Sequence, residues 1–326
     1  MTTTFPAFPT TIALEAEQGF HACTHFFDKE TELAIKAALV TGRPLLIRGE
    51  PGIGKTQVAR AAAAVLGRPL VARTLDAQTE ISDLFWEYDA LRRLAEAQLA
   101  PARVSGGETS EVATARLAMS NFTRPGALWW ALDWAGASNL PNAVAPAQPE
   151  GWESTASGVV LLLDEIDKVD SAVPNGLLDA ITRGDFRGPD GACHTMTSPR
   201  PLIVITSNEE RPLPDAFVRR CLVLSLALPK GADAATDWLR PRVEGHPALA
   251  GIDGEVFGEG VKLLLEERGS AGLRNMRRPS LAELIDLLVA VTTLYPADTH
   301  TVDERVAALK SLKALTLSKP LPDTLP

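Results

Sequence analysis

The chain has 326 residues, of which 45% are hydrophobic and 22% charged, and 32 basic against 41 acidic side chains leave a net charge of −9. That length exceeds what one hydrophobic core usually serves, so one large and one small domain are expected, and the composition is ordinary for a soluble globular protein. The acidic balance argues against nonspecific nucleic-acid binding, which works by neutralising phosphates. Cys23, Cys193 and Cys221 are scattered, with no C-x-x-C pair, which excludes a disulfide framework or zinc knuckle and suits a reducing compartment. Residues 1–20 lack a basic start followed by an apolar run. No apolar stretch reaches the roughly 20 residues that span a bilayer. A cytoplasmic protein without a membrane segment is expected.

Residues 31–41 read as a helix with Asp28 or Thr31 near its cap, and Gly42-Arg43-Pro44 then turns the chain into a short buried strand at 44–48. A helix at 55–66, closed by Gly67, and a strand at 69–74 complete a βαβ unit, which implies a parallel sheet. Residues 100–158 are dominated by alanine, glycine, serine and proline, and predict irregular loops around one short helix at 127–135. Five consecutive apolar residues at 159–163 predict a strand buried on both faces. A helix at 173–182 and a hairpin at 185–197, turning at Pro189-Asp190-Gly191, precede another apolar strand at 202–206. After Pro229 the apolar strands stop, and helical periodicity takes over at 232–239, 256–267, 279–294 and 302–316.

Four stretches carry chemistry. Gly49-Glu50-Pro51-Gly52-Ile53-Gly54-Lys55-Thr56 matches G-x-x-x-x-G-K-[ST] in full, between a predicted strand and a predicted helix. Glycines let such a loop wrap tightly, so that backbone N–H groups face a polyphosphate at the positive end of the following helix. Lys55 adds charge at the β- and γ-phosphates of ATP, and the Thr56 hydroxyl is suited to Mg²⁺. Asp164-Glu165-Ile166-Asp167 closes the apolar strand, at the sheet edge where α/β proteins bind ligands. There Asp164 is suited to hold Mg²⁺ through water and Glu165 to deprotonate the attacking water, the plain alternative being a solvated acidic turn. Asp167 and Lys168 read as surface charges. The strand at 202–206 runs into Ser207-Asn208, and an amide there can bond the γ-phosphate or the water, although asparagine is also a common turn former. Finally, Arg219 and Arg220 follow a short helix; adjacent arginines usually face solvent, but one presented to a neighbour's nucleotide would act as a finger in trans.

In this order, phosphate loop, acidic strand end, Ser-Asn strand end, arginine pair and helical segment, the chain resembles an AAA+ ATPase, and more narrowly the MoxR group and its dynein-related relatives. Residues 88–98, Arg124-Pro125-Gly126-Ala127-Leu128-Trp129-Trp130 and 206–221 carry the narrower resemblance. It implies a P-loop NTPase parallel sheet with a C-terminal all-helical lid: an N-terminal extension at 1–30, an α/β nucleotide-binding domain at 31–229 and a lid at 230–326. It further implies Walker A roles for Lys55 and Thr56, Walker B roles for Asp164 and Glu165, and a sensor 1 role for Asn208. The family ends its finger helix with an acid, an arginine and an aromatic. Here Arg219-Arg220-Cys221 stands in that place, so Arg220 aligns with the finger and the choice between the two arginines stays open. Arg278-Pro279-Ser280-Leu281 resembles the start of the sensor 2 helix, in a basic cluster with Arg274 and Arg277.

Residues 81–88 lack the aromatic–hydrophobic–glycine tripeptide of many protein-unfolding rings. Leu84, Phe85 and Trp86 read either as a projecting helix or as packing residues. The hairpin carries Arg187, Asp190 and His194, too little positive charge to grip DNA. The resemblance implies ATP hydrolysis by a homo-oligomeric ring, a hexamer, acting as a chaperone on a partner such as a von Willebrand factor A-type protein. A nucleic-acid motor or restriction subunit, and a nucleotide-dependent switch in a signalling or defence assembly, are the alternatives.

Overall fold

The apolar runs become the strands of a parallel sheet. The computed structural model describes residues 5–17, 19–197, 199–271 and 278–318; Arg274 and Arg277 lie outside them. From the amino terminus come β1 (Thr11–Leu14), β2 (Cys23–Phe26), α1 (Lys29–Thr41), β3 (Leu45–Gly49), α2 (Lys55–Leu66) and β4 (Leu70–Thr74). Next are α3 (Ile81–Phe85), β5 (Trp86–Tyr88), α4 (Ala90–Ser105), α5 (Ser110–Arg116), β6 (Thr123–Pro125), α6 (Ala127–Leu132) and α7 (Trp134–Ser138). Then follow β7 (Val160–Asp164), α8 (Ala172–Arg183), β8 (Asp185–Arg187), β9 (Cys193–Thr195), β10 (Leu202–Ser207), α9 (Asp215–Val218) and β11 (Leu222–Leu226). The last are α10 (Ala232–Glu244), α11 (Gly254–Ala271), α12 (Leu281–Leu294) and α13 (Val302–Thr316).

The chain divides into two compact units, one comprising chiefly Leu33–Ile47 and Ala62–Leu224, the other Ala7–Glu32, Arg48–Ala61 and Ser225–Pro326. The first is built on a five-stranded sheet in the order β11-β3-β10-β7-β4. Strand β7 runs parallel to β4 and to β10, pairing Leu161 with Val71 and with Ile203. Its residues Val160 to Leu163 are fully buried, which is why the segment reads as an unbroken apolar run. Leu84 and Phe85 belong to the core, where Phe85 stacks on Phe186 at 4.9 Å, so they are packing residues rather than a projecting tip.

Three local features depart from expectation. Helices α4 and α5 occupy ground read from residue 100 onward as irregular, and α4 continues through Pro101. Proline signals a helix break, but the alanines and leucines around it favour helix, and α4 buries none of its side chains, so its apolar positions follow no core. The helix at 127–135 is two helices, because Asp133 leaves the first and caps the second by accepting from Gly136 N at 3.0 Å. Strand β11 was not anticipated.

The second unit holds the helical core of α10 to α13, with Leu239, Phe257, Leu264, Leu284, Leu288 and Leu309 fully buried. It also holds an unanticipated antiparallel hairpin, β1 with β2. The hairpin lies on α10: Arg242 sits 3.7 Å over the Trp238 ring and 5.9 Å over Phe26. From α2, Arg60 donates to the carbonyls of His21 at 3.0 Å and Glu15 at 2.5 Å. Asp28, not Thr31, caps α1, accepting from Thr31 N at 2.7 Å.

His25 in β2 meets Phe27 edge-on at 4.7 Å, and its Nε2 is buried without a partner among the described residues. Burial, reinforced by the Arg242 charge and opposed by Asp28, pushes its pKa from 6.5 down to about 4. The folded state therefore keeps the ring neutral while the unfolded chain takes up a proton near 6.5, so stability is lost as pH falls through 6.5 towards 4. We expect thermal melts to show a larger drop on acidification from about pH 7 to about pH 5 in the parent than in His25→Phe.

Candidate functional site

Strand β3 ends at Gly49 and α2 begins at Lys55, so the residues between them must turn a buried strand into a helix. Gly49, Gly52 and Gly54 carry φ of 150°, 75° and 101°, conformations that glycine alone adopts readily. A Cβ on Gly49 would strike the Leu226 carbonyl oxygen, and one on Gly52 would lie 2.5 Å from Ser280 Oγ. One on Gly54 would meet nothing within 4 Å, so the loop is packed on one side and open where a polyphosphate would lie. Lys55 Nζ donates to Gly49 O at 2.8 Å and Glu50 O at 2.9 Å, curling the ammonium back into the turn. Thr56 follows in the first turn of α2, whose leading N–H groups lack helical acceptors and suit an anion. This donor set fits nucleotide phosphates.

The loop is braced within its own unit by the start of α12. Ser280 Oγ donates to Pro51 O at 2.7 Å, and Arg268 Nη1 donates to Glu50 Oε2 at 2.7 Å and to Pro279 O at 2.6 Å. Ser280 also forms a capping box with Glu283. Arg278, two residues before that cap, is exposed. The S-x-x-E of Ser280 and Glu283 before an apolar run was a readable helix start, but nothing in the sequence marked Arg268 as a partner of Glu50.

In the first unit, the parallel register of β7 and β10 puts Asp164 beside Thr206. Thr206 donates its hydroxyl to Asp164 Oδ1 and accepts from Glu165 N at 3.0 Å. Glu165 then turns into the left-handed region, φ 64° and ψ 47°, a conformation that costs a non-glycine residue about 1–3 kcal/mol and needs such support. The turn aims its carboxylate at two groups: Oε1 accepts from Asn208 Nδ2 at 3.1 Å and Oε2 from Lys168 Nζ at 2.6 Å. The hydrogen bond to Glu165 raises the Lys168 pKa. The predicted base and the predicted strand-end amide are thus brought together.

Asp167 corrects an expectation, for it is not a surface charge but only 2% exposed. A 3₁₀ turn at Ile166–Lys168 folds it inward, where it accepts from Asn208 N at 3.1 Å and Glu210 N at 2.9 Å and so holds the loop after β10. A third acid within one short acidic run gave no signal to separate it from its exposed neighbours. Thr206 was likewise missed as a partner of Asp164, since only the cross-strand register reveals the pair.

Phe217 is fully buried and Cys221 is 5% exposed, so the α9 segment is pinned at both ends while Arg219 and Arg220 between them are exposed. Neither arginine side chain has a hydrogen bond or ion pair among the described residues.

The family model for the AAA domain of the dynein-related subfamily matches residues 44–221, more than half of the chain. No curated protein matches it. Among solved structures, a Thermotoga maritima RuvB mutant is 16% identical with a TM-score of 0.46, covering 87% of this chain and 68% of its own. A Cytophaga hutchinsonii protein assigned as an ATPase is 14% identical with a TM-score of 0.36, covering 90% of this chain and 82% of its own. At such values family membership stands on the sequence match alone.

Replacing Asp167 by Ala leaves two backbone N–H groups without an acceptor, which should cost about 1–3 kcal/mol in urea unfolding. Asp167→Asn, which keeps an acceptor oxygen, should lose less. Equal stability of Asp167→Ala and the parent would show that the buried carboxylate does not hold this loop.

Proposed function

Since the chain belongs to the dynein-related subfamily of AAA domains and is an ATPase, we propose that it is a MoxR-like member, a hexameric ring that remodels or matures a partner protein in the cytoplasm. In this reading residues 31–229 form the nucleotide-binding domain, 230–326 the lid and 1–30 an extension. Gly49 to Thr56 cradle the phosphates of ATP, with Lys55 at the β- and γ-phosphates. Mg²⁺, which usually takes one or two protein ligands besides phosphates and waters, would be held by Thr56 and by Asp164, the latter oriented by Thr206; when bound it neutralises charge on the phosphates. Glu165 takes the proton of the attacking water, and Asn208 orients the Glu165 carboxylate through the 3.1 Å bond already described. Arg278, two residues ahead of the cap that touches Pro51, is the second γ-phosphate contact.

The observation that carries the ring is the arginine pair. Two exposed guanidinium groups on a segment pinned by Phe217 and Cys221, with no acceptor among the described residues, suit an anion supplied from outside the chain. Arg220 is the finger and Arg219 its neighbour, acting on the next subunit's nucleotide. A protein partner, for which a von Willebrand factor A-type protein is the candidate, is supported over nucleic acid by the β8–β9 hairpin. Its Arg187 donates to Gly191 O at 3.2 Å, and its His194 stacks on Phe186 at 5.1 Å. Both basic groups thus turn onto their own chain. Among the described residues no helix is long and apolar enough to cross a membrane.

Lys55→Ala should abolish ATP binding in calorimetry while still unfolding cooperatively in a thermal melt, with some loss of stability from the two loop carbonyls it leaves without their donor. Glu165→Gln should keep ATP bound and slow hydrolysis by about 10²–10⁴-fold, the usual range for a general base; this ATP-locked variant should also retain a von Willebrand factor A-type partner in a pull-down. For the ring, Arg220→Ala should bind ATP normally yet hydrolyse it about 10³-fold more slowly or worse. Mixing Arg220→Ala with Lys55→Ala subunits should restore turnover, because mixed rings contain interfaces joining an intact pocket to an intact finger. Silence in rings shown by mass to be mixed would refute action in trans, and the same mixture made with Arg219→Ala would decide between the two arginines.

A further inference from the structure

The carbonyls of residues 219–221 emerge at the end of a four-residue helix, where no further turn supplies donors. One side chain takes all of them. Arg43 donates from Nε to Arg220 O at 3.1 Å, and from Nη2 to Arg219 O and to Cys221 O, the last at 3.1 Å. Arg43 itself stands on firm ground, since the next residue, Pro44, accepts from Leu222 N at 2.9 Å where β3 and β11 begin. The guanidinium therefore ties the sheet's entry to the peptide groups that bear Arg219 and Arg220. The same four-arginine wall of Arg43, Arg200, Arg219 and Arg220 lines a cleft of about 440 Å³ that no carboxylate lines. Mutual repulsion would spread the two free arginines unless their backbone were fixed. A planar fork of five donors can bridge successive carbonyls, whereas a lysine ammonium is a point charge on a flexible stem.

We propose that Arg43 is a positioning residue for ATP hydrolysis, setting the backbone from which Arg220 reaches the neighbouring subunit's nucleotide. This rests on the reading of Arg220 as a finger in trans. Arg43 touches no reacting atom. Its loss misplaces the finger, and misplacement by about 1 Å can cost about 10²-fold in rate.

The test measures kcat, ATP affinity and recovery in mixed rings. Arg43→Ala should bind ATP as the parent does and lose about 10²-fold in kcat. Mixed with Lys55→Ala subunits it should regain turnover, because it brings a sound pocket and they bring a well-placed finger. Mixed with Arg220→Ala it should stay silent, because every interface then lacks a placed finger. The mixture of Lys55→Ala with Arg220→Ala, with Arg43 intact in both, is the control. If the control recovers but Arg43→Ala keeps parental kcat, or stays silent with Lys55→Ala, the positioning role is overturned and the finger stands. If the control itself stays silent, the trans reading falls and the role of Arg43 falls with it. Should Arg43→Ala fail to fold in a thermal melt, Arg43→Lys carries the same measurements, with a loss of at least about 10-fold in kcat expected because one ammonium cannot fork across three carbonyls; parental kcat in that variant would equally overturn the proposal.

Discussion

The pairing of β7 with β10 is the constraint from which the chemistry descends. Both strands are buried on both faces, so neither carries a polar side chain before its last one or two residues. Their parallel register brings those exits together, Asp164 beside Thr206. The Thr206 hydroxyl bonds the acid of one strand and the following amide of the other, and the second bond supports the left-handed backbone of Glu165. A slip of one residue would point Thr206 to the opposite face and take its hydroxyl away from the strained backbone of Glu165. Strain of this kind persists only where surrounding structure over-determines it, which is what the Thr206, Asn208 and Lys168 contacts provide.

Both oxygens of Glu165 are engaged, one by an amide and one by an ammonium. Neither partner is strong alone, because Lys168 is well exposed and water screens the pair. Together they fix a direction for the carboxylate at little energetic cost. Asp167 completes the arrangement from beneath by fixing the backbone of Asn208, so the amide is held at both its main chain and its side chain.

The phosphate loop is organised by different means. Its glycines permit the turn, but its outer side is closed by the cap of α12 and by the Arg268–Glu50 pair. Ser280 thereby has two tasks, starting a helix and bonding the loop, and the pull of one is transmitted to the other through a single hydroxyl. The helical segment is thus tied to the loop by short polar bonds, with the Ala282 methyl close against Gly52.

Much of this protein was legible before any coordinates. The phosphate loop, the acid pair after an apolar run and the helical C-terminal third are local patterns, and the structure realises them as β3 to α2, β7 and α10 to α13. Such features are readable because backbone conformation and period act over a few neighbouring residues. The β1–β2 hairpin, β11 and helices α4 and α5 were not readable: short strands need a partner to define them, and α4 and α5 bury no side chain but Ala113. The decisive contacts were further out of reach. Thr206 with Asp164, Asp167 under Asn208, Arg268 with Glu50 and Arg43 across residues 219–221 join positions 41 to 218 residues apart. A side chain's role in such a pair depends on which strand lies beside it and in what register, and that is decided by tertiary packing, where burial turns an ordinary acid or arginine into a fixed partner.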